Sequence, residues 1–129
     1  MRLLLNLCWI ILGGGLVIAL EYILVGIILC LTIVGIPFGT QCFKLAGLGF
    51  VPFGKDIRDD PTAPGSGLAG GLLNLVWLVF AGVWIFLSHV GLALGLAVTI
   101  IGIPFALQHL KLAMLALMPF GKRVIPAQS

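Results

Sequence analysis

The sequence predicts an all-α integral membrane protein with four transmembrane helices arranged as two helical hairpins, and three observations support this fold class. Hydrophobic residues make up 61% of the 129 residues and charged residues only 9%, with a mean hydropathy of +1.28. Soluble domains are about 45–50% apolar and about 25% charged. Long apolar stretches approach the ~20 residues that cross a bilayer as a helix. A motif also recurs along the chain, so the helices are expected to come in matching sets.

The chain contains an internal repeat. Gly35-Ile36-Pro37-Phe38 recurs 67 positions later as Gly102-Ile103-Pro104-Phe105. At the same spacing the matching pairs are Thr32 with Thr99, Gln41 with Gln108, Lys44 with Lys111, and Pro52–Lys55 with Pro119–Lys122. At a spacing of 68 they are Asn6 with Asn74, Trp9 with Trp77 and Glu21 with His89. These matches indicate a duplicated unit whose second copy is expected to be one residue shorter, just after its tip.

The spans and domains follow from the positions of the apolar runs. We predict a first two-helix repeat over residues 1–55, a cytoplasmic linker over 56–67 and a second repeat over 68–129. The predicted spans are 3–20, 23–43, 68–87 and 90–110, with tips at Glu21–Tyr22 and Ser88–His89. The first run is long for the core of a signal peptide, so we expect it to remain as a span. The apolar segments 45–53 and 112–120 are too short to cross again, and we expect them to lie flat at the interface.

The distribution of basic residues predicts the orientation. Five of the seven basic residues, Arg2, Lys55, Arg58, Lys122 and Arg123, lie at the termini or in the linker, whereas the two tips carry no lysine or arginine. The positive-inside rule then places both termini and the linker in the cytoplasm, with the two repeats parallel. Seven basic residues spread along the chain form no nucleic-acid stripe, so the predicted partner is membrane lipid. The cysteines lack metal-type spacing, and we expect no metal and no other cofactor.

The repeated motifs resemble the YccF family of small bacterial inner-membrane proteins. The resemblance is carried by Asn6, Trp9, the two Gly-Ile-Pro-Phe motifs and the Pro-Phe-Gly-Lys endings at Lys55 and Lys122, and it covers nearly the whole chain. It implies a multi-pass protein of the bacterial inner membrane built from two copies of a two-helix domain. It implies no catalytic residues.

Pro37 and Pro104 are predicted to kink the second helix of each repeat. A proline inside a helix frees the carbonyl four residues earlier, here that of Ile33 or Ile100. The hydroxyls of Thr32 and Thr99 and the small residues Gly35 and Gly102 lie nearby in sequence, and all of them are candidate pore or kink residues. One interpretation is a broken helix that lines an ion path. The other is a kink that serves packing alone.

The polar residues that follow the prolines are further candidates for a pore. Gln41 with Lys44, and Gln108 with Lys111, are each spaced to share a helical face. Lysines around a cytoplasmic pore mouth would favour anions, whereas lysines at the interface simply snorkel. Both interpretations fit the sequence.

Asparagine and histidine complete the set of singled-out residues. Asn6 and Asn74 are expected to form a hydrogen bond between the repeats, with pore lining as the alternative. Glu21 and His89 are expected to be solvated tip residues, or else a pH-sensitive pair, and His109 an interfacial group.

The function predicted from sequence is transport without catalysis. No nucleophile with a base, no paired carboxylates and no phosphate-binding loop is present, so we expect no enzyme activity. One hypothesis is a homo-oligomeric channel for small inorganic ions with an anion preference. The alternative is a non-catalytic scaffold that binds a partner through its cytoplasmic segments.

Overall fold

The chain folds into six α-helices and a two-stranded ribbon in the computed structural model, which describes residues 1–62 and 66–126. The elements are α1 Arg2–Leu12, α2 Gly15–Cys30, α3 Ile36–Phe50, β1 Lys55–Asp59, α4 Gly67–Trp77, a π-helical turn Leu78–Gly82, α5 Val83–Val98, α6 Ile103–Leu117 and β2 Lys122–Pro126. Two units result: unit 1 comprises Met1–Lys55 with Pro126, and unit 2 comprises Asp56–Ile125.

The chain reverses direction later than the sequence predicts. The tips predicted at Glu21–Tyr22 and Ser88–His89 are wrong, because these residues lie inside α2 and α5. The observed turns are residues 31–35 in unit 1 and 99–102 in unit 2. A single polar pair does not end a long apolar helix, whereas glycine followed by a proline two residues later does.

The prolines start helices and do not kink them. Pro37 and Pro104 occupy the first turn of α3 and α6, where the N–H that proline lacks would have no partner within the helix. The predicted kinks in the second helices, and the carbonyls that they would free at Ile33 and Ile100, are therefore wrong. No ion path is created by a broken helix at these prolines.

Threonine closes each turn from within. The Thr32 hydroxyl donates to the carbonyl of Leu29 at 2.8 Å and accepts from the Gly35 N–H at 3.0 Å. In unit 2 the matching contacts are Thr99 to Leu96 at 2.6 Å and Gly102 to Thr99 at 3.0 Å. The turn thus satisfies its own polar groups, which suits an apolar surrounding.

Glycines allow close contact between the helices that pack together within each unit. In unit 1 a Cβ on Gly39 would overlap the carbonyl of Gly26 and the sulfur of Cys30, and one on Gly15 would overlap the Trp9 indole. In unit 2 a Cβ on Gly82 would overlap the carbonyl of Leu117. α2 packs against α3, and α5 packs against α6 with the π-helical turn meeting the end of α6. The short turns at 31–35 and 99–102 make each pair antiparallel.

The outer faces of the helices are apolar and exposed. Ile33 and Ile101, which lie in the observed turns, are 86% and 87% exposed. The continuous helix Gly67–Val98, with 32 residues and a mean hydropathy of 2.1, is long and apolar enough to cross a membrane, and the pair α1 and α2, bent by 71°, passes the same test as one broken span. Such surfaces need an apolar surrounding such as lipid.

The two units differ in the number of residues between a tryptophan and the close-packed glycine that follows it. Trp9 precedes the close-packed Gly15 by six positions, whereas Trp77 precedes Gly82 by five. The extra residue in unit 1 is absorbed by a break at Gly13–Gly14, where Gly14 has a φ of 86°. The register change therefore lies here and not after the tip, as the sequence suggested.

The segments 45–53 and 112–120 do not lie apart at an interface. Most of each segment continues α3 or α6, which end at Phe50 and Leu117. Because these helices begin at the Gly-Ile-Pro-Phe motif, each has only 15 residues, or about 22 Å at about 1.5 Å per residue. No bend is needed to keep them within a bilayer.

The ribbon has no counterpart in the sequence prediction. β1 pairs with β2 in a two-stranded sheet, so part of the segment predicted as a linker is ordered backbone. Asp60 extends the pairing by donating its N–H to the Gly121 carbonyl at 2.9 Å.

The contact between α2 and α3 predicts unequal effects of two glycine substitutions on the same helix. Gly39→Ala should destabilise the protein by about 1–3 kcal/mol, because its methyl group meets backbone that must move. Gly47→Ala is the matched control: no atom lies within 4 Å of its Cβ, and alanine favours the helix. Thermal unfolding in detergent measures both, and equal midpoints would contradict the packing.

Candidate functional site

Unit 2 carries a polar clamp that joins the start of its long helix to the end of α6. The Asn74 side chain donates to the Phe120 carbonyl at 3.0 Å and accepts from the Phe120 N–H at 2.9 Å. The Trp77 indole N–H donates to the Ala116 carbonyl at 2.6 Å. These bonds serve backbone groups where α6 ends and helical hydrogen bonding stops.

Unit 1 repeats this clamp with the same chemistry. Asn6 donates to the Phe53 carbonyl at 3.1 Å and accepts from its N–H at 2.9 Å, and the Trp9 indole donates to the Gly49 carbonyl at 2.6 Å. The predicted hydrogen bond between the repeats is wrong: Asn6 and Asn74 each bind backbone of their own unit. The alternative of pore lining finds no support in these contacts.

Each helix pair encloses a glutamine whose amide oxygen has no hydrogen-bond partner among the described residues. Gln41 is 5% exposed and Gln108 is 9% exposed, and the oxygen of each is unpartnered. The Gln108 amide nitrogen lies 3.5 Å from the Pro104 carbonyl. Buried acceptors without partners are rare, so these two residues mark polar positions inside otherwise apolar pairs.

Two histidines meet inside unit 2. His89 on α5 is 5% exposed and His109 on α6 is 1% exposed, and their Nδ1 atoms are 3.0 Å apart. The predictions of a solvated tip for His89 and an interfacial position for His109 are wrong. Because the chain reverses ten residues after His89, this residue lies in the helix pair and not at its end.

The matching positions of unit 1 carry different chemistry. With the register change placed before Gly15, the residues that correspond to His89 and His109 are Tyr22 and Cys42, both buried. The constant spacing of 67 residues was the signal that could have identified these pairs. Glu21 corresponds instead to Ser88, and both are exposed.

A charged cavity opens beside α6 of unit 2; we call it the vestibule. It has a volume of about 330 Å³. Its lining residues are Asp56, Ile57, Asp59, Lys111, Met114 and Lys122. Lys111 is the predicted site residue that reaches this cavity, with Asp56 as its acidic neighbour. The Lys122 ammonium lies 3.8 Å from the Asp59 carboxylate, whose side chain is 89% exposed.

A second charged pair fixes the ribbon. The Asp60 carboxylate accepts from the Thr62 hydroxyl at 2.6 Å and N–H at 2.8 Å, and from the Arg123 guanidinium at 2.6 Å. The Thr62 hydrogen bonds, with Arg123 adding to them, lower the pKa of Asp60 to about 2. In unit 1, burial lowers the pKa of Lys55, which donates to the Gly47 carbonyl.

The structure separates the remaining predicted residues by role. Thr32, Gly35, Thr99 and Gly102 build the turns, and Lys44 is half-buried on α3. Among residues 1–62 and 66–126 no group of three His, Cys, Asp or Glu side chains is placed to hold a metal ion.

Comparison with known proteins shows the family. The model of the YccF inner membrane component domain matches twice, at residues 4–55 and 72–122. The chain is 31% identical to the inner membrane protein YccF of Escherichia coli (strain K12) over 135 aligned positions, which cover 100% of this chain and 90% of that protein. The YccF protein of Shigella flexneri matches to the same extent. No solved structure matches. The chain therefore belongs to the YccF family of inner membrane proteins.

The clamp predicts a stability cost that can be divided between its two side chains. Asn74→Ala removes both partners of the Phe120 backbone and should cost about 1–3 kcal/mol. Trp77→Phe keeps most of the ring but removes the donor to Ala116, and should cost a similar amount for one buried carbonyl.

Ser88→Ala serves as the control for both clamp variants. The exposed Ser88 hydroxyl donates to a Trp84 carbonyl within the same helix, so its loss should change the unfolding midpoint little. Thermal unfolding in detergent compares the three variants. Midpoints for Asn74→Ala and Trp77→Phe as high as that of Ser88→Ala would show that the clamp contributes nothing to stability.

Proposed function

We propose that this member of the YccF family is a non-catalytic, homo-oligomeric protein that passes small ions across the bacterial inner membrane. The observation that carries the proposal is the vestibule: a charged cavity of about 330 Å³ against helices whose other faces are apolar. Charged groups at membrane helices mark functional sites more often than structural ones. The vestibule would then be the cytoplasmic mouth of the path.

The proposed topology has both termini and the ribbon in the cytoplasm. Basic residues gather at the clamp end of each unit, and the turns at 31–35 and 99–102 carry no charge. The first crossing is made by α1 with α2 in unit 1 and by the continuous helix Gly67–Val98 in unit 2. The second crossing of each unit, by α3 or α6, returns toward the cytoplasm, so the chain would cross the membrane four times.

The returning helix approaches the interface with the help of the non-helical backbone that follows it. α3 and α6 contribute about 22 Å each, and residues 51–53 and 118–120, a bend that leads into a turn, add at most about 10 Å at about 3.3 Å per residue. The upper limit of about 32 Å is comparable with a hydrocarbon core of about 30 Å. Non-helical backbone at this depth needs internal partners, and Asn6 and Asn74 provide them for Phe53 and Phe120.

The proposed anion preference rests on Lys111. This lysine projects from α6 into the vestibule, whereas the two carboxylates of the lining, Asp56 and Asp59, belong to β1 and are exposed to solvent. A cation on the membrane helix attracts anions into a narrow path. Lys44, its equivalent in unit 1, is half-buried on α3.

The proposed oligomer would use α5. Gly91 and Gly95 are exposed one turn apart, and a Cβ built on either would meet no other part of the described chain within 4 Å, apart from the adjoining backbone of α5 itself. Such a pair lets a helix of a second copy approach closely. An oligomer would also enclose a path for which one thin helix pair has little room.

Ion conduction predicts a selectivity change in one variant. Purified protein in planar bilayers should conduct, and Lys111→Glu should shift the reversal potential toward that of a cation channel, because it reverses the charge at the vestibule. Lys111→Arg should retain the wild-type value, and Lys44→Glu, the matched change in unit 1, should shift it less. Identical reversal potentials for wild type and Lys111→Glu would exclude Lys111 from the path.

Absence of conductance would favour the alternative function, a scaffold that binds a partner. The ribbon favours this second candidate, since it is a sheet of two strands and a strand of a partner protein can add to the edge of a sheet. Purification from native membranes should then yield a stoichiometric partner that is lost when Ile57 and Val124 in the ribbon are replaced by proline.

The proposed interface on α5 predicts that large side chains at Gly91 and Gly95 weaken the oligomer, whereas a large side chain at another open glycine does not. Gly91→Leu combined with Gly95→Leu should reduce cross-linked oligomers at least several-fold, since leucine keeps the helices of two copies apart. Gly47→Leu, at an equally open but solitary glycine, should leave cross-linking unchanged. Equal loss in both variants, or in neither, would contradict an α5 interface.

A further inference from the structure

We infer that His89 and His109 form a proton-binding site inside unit 2, which holds a single added proton shared between two imidazole rings. The inference rests on their position and not on the proposed ion path. Both rings are buried between α5 and α6, and their Nδ1 atoms face each other at 3.0 Å. The ring centroids are 5.3 Å apart.

The distance requires the two rings to differ in protonation. Two bare nitrogens, or two N–H groups, would repel each other at 3.0 Å, so one Nδ1 must carry hydrogen and the other must accept it. At neutral charge the donor ring therefore has its proton on Nδ1 and the acceptor ring on Nε2. The fold thus selects opposite tautomers for its two histidines.

One proton can be added without breaking this contact. It binds at the Nε2 of the donor ring, turns that ring into an imidazolium and strengthens the N–H···N bond by charge assistance. A second proton has to occupy the acceptor Nδ1, which breaks the bond and sets two positive rings against each other. The pair therefore titrates as one coupled site.

The surrounding helices offer little competing charge. The π-helical turn carries no ionisable residue, and α5 carries none other than His89. On α6 the other ionisable residue is Lys111, two positions beyond His109, with Asp56 of β1 as its neighbour. Uptake of a proton thus places a positive charge between α5 and α6, and His109 lies beside the stretch of α6 that lines the vestibule.

Only one repeat has acquired this property. Unit 1 places Tyr22 and Cys42 at the matching positions, and both side chains are neutral over the range in which imidazole binds a proton. The two repeats share the clamp and the turn but differ in whether their interior can become charged. At these matching buried positions, unit 2 can therefore bind a proton in this range and unit 1 cannot.

The chain is well suited to a direct test, because these are its two histidines. Selective ¹⁵N labelling of histidine makes every imidazole signal report on this pair. In the full-length protein in lipid nanodiscs at about pH 8, we expect one protonated and one bare Nδ1. Acidification toward about pH 4, across the ordinary imidazole pKa of ~6.5, should change both rings together as one proton per chain is bound.

The matched variant is supplied by unit 1. His89→Tyr combined with His109→Cys places the unit 1 residues in unit 2, so folding should be retained while the proton uptake, followed by potentiometric titration, falls by one per chain. The single variant His89→Gln keeps a buried polar group, and in it His109 should titrate alone.

Two results would overturn the site. Two independent imidazole titrations, each like that of a free histidine, would show that the rings are solvated and uncoupled. Identical Nδ1 signals from both rings at about pH 8 would show that the hydrogen bond is absent. Neither outcome depends on whether the protein conducts ions.

Discussion

The architecture depends on finding partners for the backbone that follows each returning helix. α3 and α6 end at Phe50 and Leu117, and the residues that follow form a bend and a turn before each strand, so the N–H and C=O groups of Phe53 and Phe120 have no helical partners. In lipid each such group would cost several kcal/mol. Asn6 and Asn74 pair with both groups of one residue, as a neighbouring strand would. α1 is thereby joined to the residues that follow α3, and α4 to the residues that follow α6.

Small residues permit the close contacts that surround the clamp in unit 1. A Cβ on Gly15 would overlap the Trp9 indole, and Gly26 and Gly39 bring α2 against α3. Leucines such as Leu45 and Leu48 fill the core, while many other bulky apolar residues face outward. Surfaces of this kind are stable in lipid but would aggregate in water, so the clamp and the membrane location depend on each other.

The sequence predicts the class of protein and the repeat, but not where the chain turns. Composition and motif spacing depend on many residues at once, and they identify a membrane protein of the YccF family correctly. The position of a turn depends on local competition. Pro37 is predicted as a break within a helix because Glu21 resembles the end of the preceding helix, although Thr32 and Gly35, five and two residues before the proline, build the turn. The ribbon was missed because its pairing joins residues more than 60 positions apart, and the pattern of a single strand reveals no partner.

The sequence predicts the lysine that lines the vestibule but not the buried pair of histidines beside it. Lys111 is conspicuous as a charge in an apolar run, and it does reach the vestibule. His109 lies two positions earlier and faces the opposite helix, where its partner is set by the antiparallel register and not by spacing along the chain. Once the turn is moved to residues 99–102, the register that brings Gly82 against Leu117 also brings His89 against His109. The turn at residues 99–102 therefore places His89 and His109 together between the two helices. A chain that reversed at Ser88–His89 would have exposed both rings to water.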